Sequence, residues 1–327
     1  MDHNEIYDIT VIGGGTTGLF AAYYATMRGM KVKLIEAQAH LGGKVKQFFP
    51  EKKIYDIGGF PAITGEALVN QSIEQAQRHH PPLLTNQWVK QIRWEDGCYH
   101  LITSQEQVHA TKTVLLATGS GTFHVNMPEE WERLPRIEAA TDLMGQTSYQ
   151  GRNVIISTNN KTGLNWALYL EKSAASVTII NPVDRFQQAK EEDIRQLEAS
   201  TIQVFYQAEI TQLSSEENRL AAITIHDQAG TKQQISGDYL LVYHGLKLQA
   251  TPFEEWEITT DKGRIPVDGD MATNREGIFA AGDAVQYLGK TNLVAPGYTE
   301  AITAVNKAHK WLDPSVTEQL YSTVLYR

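Results

Sequence analysis

The 327-residue sequence has a single cysteine, Cys98, so an intrachain disulfide and a CxxC dithiol pair are both excluded. Cys98 follows Glu95-Asp96-Gly97, a hairpin-turn signature, and is read as a bystander. No run of about 18 apolar residues occurs, so no transmembrane helix is expected. The N-terminus is acidic and leads straight into an apolar stretch, without the basic start of a secretory signal, and a cytoplasmic location is the expectation. Positive charge is also short: the net charge is −9, which argues against non-specific nucleic-acid binding. Lys44, Lys46, Lys52 and Lys53 form a local exception that reads either as a docking patch for an acidic partner or as an ordinary solvated loop. No spacing of metal ligands is present, and His79-His80 before Pro81-Pro82 reads as a helix end.

What the sequence does have is a nucleotide-binding pattern at its start. Residues 6–12 read as a buried strand, followed by Gly13-Gly14-Gly15-Thr16-Thr17-Gly18, a helical stretch from Leu19 to Arg28, and a second strand from Lys31 to Ile35 that ends at Glu36. Each part has a physical task. Gly13 permits the tight turn, Gly15 lets a pyrophosphate approach the backbone, and Gly18 lets helix and strand pack closely. The helix N-terminus presents N–H groups and the positive end of its dipole to phosphate. Glu36, about 20 residues on, can accept hydrogen bonds from ribose hydroxyls, which favours an unphosphorylated ribose as in FAD or NAD. Strand, glycines, helix, strand and acid in register form a far more specific signal than the glycines alone.

Further along, Ala117-Thr118-Gly119 closes an apolar strand, and Gly277-Ile278-Phe279-Ala280-Ala281-Gly282-Asp283 is a short strand ending in Gly-Asp. With Leu41-Gly42-Gly43-Lys44, these segments resemble the flavoproteins with two dinucleotide-binding domains, which include thioredoxin reductase and glutathione reductase. The resemblance narrows at residues 49–61, at Gly14–Ala22, at Met27–Ile35 and at Glu300-Ala301 with Ala304-Val305-Asn306. These segments are similar to the thioredoxin-reductase-like ferredoxin/flavodoxin–NADP reductases of bacteria. The resemblance implies an α/β fold of two Rossmann-like domains, one inserted in the other: an FAD domain at residues 1–118 and 242–327, and an NAD(P)-binding-like domain at 119–241.

The same resemblance implies flavin contacts at Gly13, Gly15, Thr17, Gly18, Glu36, Lys44, Phe49, Val89, Phe123, Asp283, Tyr321 and Thr323. Lys44 stands where the family has glutamine, and Phe49 where it has tyrosine. Phe49 keeps an aromatic face for the isoalloxazine, and Tyr321 fits the aromatic that covers the other face. A cation at Lys44 would raise the flavin's reduction potential; pointing to solvent or pairing with phosphate are the alternatives. The helix entered at about Leu293–Thr299 would aim its N-terminus at the flavin ring. The family passes electrons from NADPH through FAD to ferredoxin or flavodoxin and forms homodimers. The flavin carries the chemistry, so no side chain is assigned as catalytic.

The middle of the chain departs from the family. A strand at Asn153–Ser157, a helix at Thr162–Lys172 and a strand at Val177–Ile180 repeat the βαβ order. Where the family has Gly-Gly-Gly-Asp-Ser-Ala, this chain has Thr158-Asn159-Asn160-Lys161-Thr162-Gly163. Asn tolerates left-handed backbone angles, so the turn can persist, while side chains at Thr158 and Asn160 crowd a pyrophosphate and Lys161 offers a point charge. The arginine pair that would grip a 2′-phosphate in the family is replaced by Pro182-Val183, and Arg185, a possible substitute, is out of register. Two readings stay open. Either this domain takes NADPH or NADH weakly or with altered preference, or it has lost the nucleotide and the chain is a diverged FAD protein serving as a sensor, an assembly subunit or an electron store.

Overall fold

The computed structural model describes residues 5–48, 50, 52–125, 127–128, 131, 137–138, 149–228, 230–317 and 322. The chain forms two compact units, residues 1–122 with 249–327, and residues 123–248.

The first unit opens with strand β1 (Tyr7–Ile12), helix α1 (Thr16–Met27) and strand β2 (Val32–Ile35). Helix α2 (Gly65–Gln77) follows, then β3 (Leu83–Leu84), β4 (Val89–Glu95), β5 (Cys98–Thr103) and β6 (Val108–Leu116). The sheet runs β3-β2-β1-β6-β5-β4. β1 pairs in parallel with β2 and with β6, while β4, β5 and β6 form an antiparallel meander. β1 and β2 are buried along almost their whole length, as strands covered on both faces are. The hairpin between β4 and β5 turns at Asp96 and Gly97, both with positive φ, the geometry that Asp-Gly favours. Cys98, just beyond it, is buried and starts β5.

The second unit contains β7 (Asn153–Thr158), helix α3 (Lys161–Leu170), β8 (Ser176–Asn181), helix α4 (Glu191–Glu198) and β9 (Gln203–Tyr206). A three-stranded antiparallel sheet follows, β10 (Glu209–Glu216), β11 (Arg219–His226) and β12 (Lys232–Ser236), and then β13 (Tyr239–Tyr243). The parallel sheet has the order Ile137–Glu138, β13, β7, β8, β9. Its centre is β7, and the strand order reverses direction between β7 and β13, the position where open α/β sheets form a crevice at their carboxyl ends.

The chain then re-enters the first unit. Strand β14 (Ile278–Ala280) pairs in parallel with β6, and helix α5 (Val294–Leu312) packs on α1. That packing is close because both helices present small residues: Gly18, Ala21, Ala22 and Ala25 on α1, and Ala301, Ala304 and Ala308 on α5. Helix α1 starts at Thr16, three positions before its expected start, because Gly15 is still extended and helical geometry begins directly after it. Among the described residues no helix is long and apolar enough to cross a membrane, and no cluster of potential metal ligands occurs.

Candidate functional site

The first unit gathers its expected site residues around the β1–α1 turn. Gly13 has φ +107°, and a Cβ there would lie 2.3 Å from the Ala117 carbonyl oxygen. A Cβ on Gly18 would lie 1.9 Å from the Gly13 oxygen, so helix and strand touch only because both positions are glycine. Gly15 is different. The nearest atom to a Cβ there is the Gly43 Cα at 4.0 Å, so its glycine leaves room rather than relieving an internal clash. No side chain caps α1 at Gly15.

Glu36, almost wholly buried at the end of β2, faces this turn. Its Oε2 accepts from the Gly14 N–H and its Oε1 from the Gln38 N–H. Burial pushes its carboxyl pKa up, against the lowering effect of those amides. The Ala37 N–H also bonds to it, and its two oxygens, with about four lone-pair positions, still have room for a further donor. Thr17 lies where three segments meet: a Cβ on Gly282 or on Gly297 would come within 3.0 or 2.4 Å of its hydroxyl. The α1 start, the Gly282-Asp283 turn and the first turn of α5 therefore converge on one residue.

Asp283 sits in the 3₁₀ turn Gly282–Ala284, and Lys44 reaches it at 3.1 Å while donating to Ser120 Oγ at 2.7 Å. The Lys44 charge is thus offset by a carboxylate, an arrangement that neither the solvent nor the phosphate alternative anticipates. Lys46 pairs with Glu66, so two of the four lysines of the candidate basic patch are neutralised within the chain. Val89 is a core side chain at the start of β4, packed with Ile12, Ile35 and Leu116, which leaves its backbone as the part able to meet a ligand. Phe123 begins the second unit and is half-buried on the strand Thr122–Val125. Phe49, Tyr321 and Thr323 lie outside the described residues.

A buried hub escaped the sequence reading. Glu300 on α5 accepts from the Gly282 N–H at 2.7 Å, from the Tyr287 hydroxyl at 2.7 Å and from Lys290 Nζ at 2.6 Å. The Lys290 and Glu300 side chains are only 2% and 4% exposed. Burial, with the Glu300 hydrogen bond, pushes the Tyr287 hydroxyl up to about 12. The hub ties the Gly-Asp turn to α5. The available signal was an acid inside the Ala-rich buried stripe of a helix, which demands a cationic partner.

The residues present fit a flavin dinucleotide. The Gly15 space and the uncapped α1 end suit a pyrophosphate, and Glu36 suits a ribose. Thr118 Oγ1, beside this turn in Ala117-Thr118-Gly119, is buried without a hydrogen-bond partner among the described residues. Helix α5 also begins, at Leu293, without a side-chain cap.

The second unit repeats this layout position by position. Gly15, Glu36 and Gly42 are spaced as Asn160, Asn181 and Gln187 are, 21 and then 6 residues apart. Both turns are bridged by the loop after the second strand, at Gly15 with Gly42 and at Asn160 with Gln187. In the first unit the Gly42 N–H donates to Gly14 O, and in the second the Gln187 N–H donates to Asn159 O. The last glycine is kept as well: a Cβ on Gly163 would lie 2.3 Å from Thr158 Oγ1.

The ligand-facing positions differ. Asn160 has φ −142°, extended rather than left-handed, so the turn does not rely on the left-handed angles expected of it. Its Oδ1 accepts from the Thr162 N–H at 3.0 Å and the Gly163 N–H at 3.4 Å, capping α3. Its Nδ2 donates to Tyr243 O. The Lys161 N–H donates to Gln187 O at 2.9 Å. Lys161 Nζ is held by Asp193 at 2.7 and 3.0 Å, so the expected free point charge is engaged. Thr158 is fully buried, with its side chain against Gly163. Asn181, also fully buried, turns Oδ1 to the Val183 N–H and Nδ2 to Arg185 O. These residues do not fit a nicotinamide dinucleotide. Nearby, Ser157 Oγ and His244 Nε2 share a hydrogen bond of 2.8 Å, and burial pushes the His244 imidazole pKa down.

Fold and site together define an α/β protein with two dinucleotide-type units, one open at its glycine turn and one closed. The chain matches the pyridine nucleotide-disulphide oxidoreductase family over residues 7–309, and it belongs to that family. It is 39% identical over 327 residues to ferredoxin–NADP reductase 1 of Bacillus velezensis, covering 98% of this chain and 97% of that protein. It is 36% identical over 337 residues to the ferredoxin–NADP reductase of Geobacillus kaustophilus, covering 99% of each. Among solved structures it is similar to thioredoxin reductase from Lactococcus lactis, with a TM-score of 0.57, 22% identity, and 94% and 99% of the two chains covered. That likeness bears on the fold alone.

Proposed function

We propose that the chain is an FAD-dependent oxidoreductase of the ferredoxin reductase type, delivering electrons to a one-electron carrier protein. The observation that carries this is the convergence on Thr17 of the glycine turn, the Gly282-Asp283 turn and the α5 start, beside a free Gly15 space. In this reading Gly13, Gly15 and Gly18 with the α1 amides hold the pyrophosphate, and Glu36 orients a ribose. Val89 meets the adenine through its backbone. Asp283, positioned by Glu300 and paired with Lys44, meets the ribityl-phosphate region, with Thr323 as a further contact. Phe49 and Tyr321 cover the two ring faces. When bound, FAD accepts electrons as a pair and releases them singly, which is the chemistry a carrier such as ferredoxin or flavodoxin needs. The relatives' names support ferredoxin as the carrier. The same reading has the protein act in the cytoplasm as a homodimer, with residues 1–118 and 242–327 as the flavin domain.

The purified protein should be yellow and release about one FAD per chain on heating, by the single glycine-turn site of its first unit. A chain that stays colourless after incubation with FAD contradicts the reading.

The relatives' names also supply NADP as the electron donor's nucleotide, but the β7–α3 turn does not fit it, so no step is assigned to that nucleotide. The Asn160 cap favours a second reading of the donor side, in which reduced nicotinamide nucleotides are not the reductant. Anaerobic mixing with NADPH and with NADH separates the two. Rapid bleaching of the flavin supports the nicotinamide-dependent reading, and bleaching by dithionite alone supports the other.

A further inference from the structure

We infer that the second nucleotide fold holds no nicotinamide dinucleotide at its β7–α3 turn, because Asn160 takes from within the chain the amides a pyrophosphate would use. Asn160 is a specificity-determining residue of this protein, one that excludes a ligand. The inference goes beyond the flavin reading and does not depend on it.

Four observations support the exclusion, and each touches a different part of the ligand. A dinucleotide's pyrophosphate binds where a helix N-terminus offers unsatisfied N–H groups. At α3 the Lys161, Thr162 and Gly163 amides already donate, the first to Gln187 O and the others to Asn160 Oδ1. An incoming phosphate would have to displace that cap and meet its side chain at the position that is bare glycine in the first unit.

Charge is the second part. Lys161 is neutralised by Asp193, and the Lys190 N–H also donates to Asp193 Oδ2. With that pair closed, Lys161 offers an anion no uncompensated charge at the helix end. Ribose is the third. Asn181 occupies the position of Glu36 but is fully buried, with both ends of its amide turned to its own loop. The fourth is the 2′-phosphate, for which Pro182-Val183 supply no cation.

The closure is local and leaves the fold intact. Gly163 still lets α3 pack on β7, and the bridge between Asn160 and Gln187 matches the one between Gly15 and Gly42. Only the surface that would meet the ligand has been filled, by a residue type that caps helices well.

Hydrogen exchange tests this on the full-length protein as purified, with NADP⁺ and NAD⁺ as unreactive probes at about 1 mM, a level that fills any site of micromolar affinity. The inference predicts that exchange across residues 158–170 is slow without nucleotide and is unchanged by either probe. Slowing of this segment on addition of either probe overturns it. In Asn160→Ala, loss of the cap should quicken exchange of the first turn several-fold, about fivefold. Unchanged exchange in that variant overturns the capping role. The wild-type arm stands even if Asn160→Ala fails to fold. Flavin absorbance of the same sample reports on the flavin site separately, so a failure of one conclusion is distinguishable from a failure of the other.

Discussion

The α1 and α3 turns share their spacing, their cross-bridge and their last glycine, yet one is open and the other closed. Gly15 leaves space and an uncapped helix end, whereas Asn160 fills the space and caps the helix. The difference teaches that the Rossmann scaffold and its ligand grip are separable. The glycine that packs helix on strand belongs to the scaffold, and the glycine that faces the ligand belongs to the grip. A chain can keep the first while replacing the second.

The comparison can be broken most severely at the support of the open site. Glu300→Gln leaves Lys290 buried without a counter-charge and loosens the Gly282-Asp283 turn, for a loss of about 3–5 kcal/mol. Denaturant unfolding of the first unit measures it. A loss below about 1 kcal/mol would mean that the hub is no more than an exposed-type pair.

Exchanging the two turns sharpens the comparison. Gly15→Asn places at α1 the residue that closes α3. Gly15 has φ −70°, and the nearest atom to a Cβ there lies 4.0 Å away, so the fold should persist. FAD affinity should fall about a hundredfold, near 2.7 kcal/mol, as read by flavin retained through dialysis. Full retention would show that an asparagine there does not exclude a dinucleotide.

A smaller effect is expected from removing the cap. Asn160→Ala should cost the second unit about 1 kcal/mol by unfolding, with no change in flavin content. Flavin loss in this variant would mean that the two turns are not independent.

The smallest effects are electrostatic. Burial pushes the His244 imidazole pKa down in the folded chain, so the unfolded chain binds the extra proton more readily. The stability this group contributes is therefore present above the unfolded imidazole value, near pH 6.5, and is lost as pH falls from there toward the lower folded value. A pH series comparing the wild type with His244→Asn should show the wild type alone losing that increment; parallel curves would contradict it. At the open site, Lys44→Gln should lower the flavin potential by roughly 20 mV, since Asp283 and solvent already offset most of the lysine's charge. An unchanged potential would remove Lys44 from the flavin's surroundings.

The first βαβ unit is legible because buried strands, a glycine-rich turn and a largely apolar helix follow one another within about 30 residues. Helix ends were less so: Thr16-Thr17 reads as part of the turn but is helical, since nothing local distinguishes a first helical turn from a loop. At Asn160 the residue type is legible from the sequence and its conformation is not. Asn suits both left-handed turns and helix N-caps, and only the position of the Thr162 and Gly163 amides decides for the cap. Lys44 was legible as a departure, but its partner Asp283 lies 239 positions away and is brought to it by folding. For the Glu300 hub, the acid in a buried helical stripe is a legible signal, but its partners Lys290 and Tyr287 are not, since burial rather than spacing makes the three a unit.

The central claim is that one turn of this protein accepts a dinucleotide and the other does not. Native mass spectrometry of the wild-type chain, incubated with excess FAD and NADP⁺, counts bound dinucleotides per chain directly. One is expected, and that one is FAD. A chain carrying both FAD and NADP⁺, or one carrying NADP⁺ in place of FAD, would contradict it.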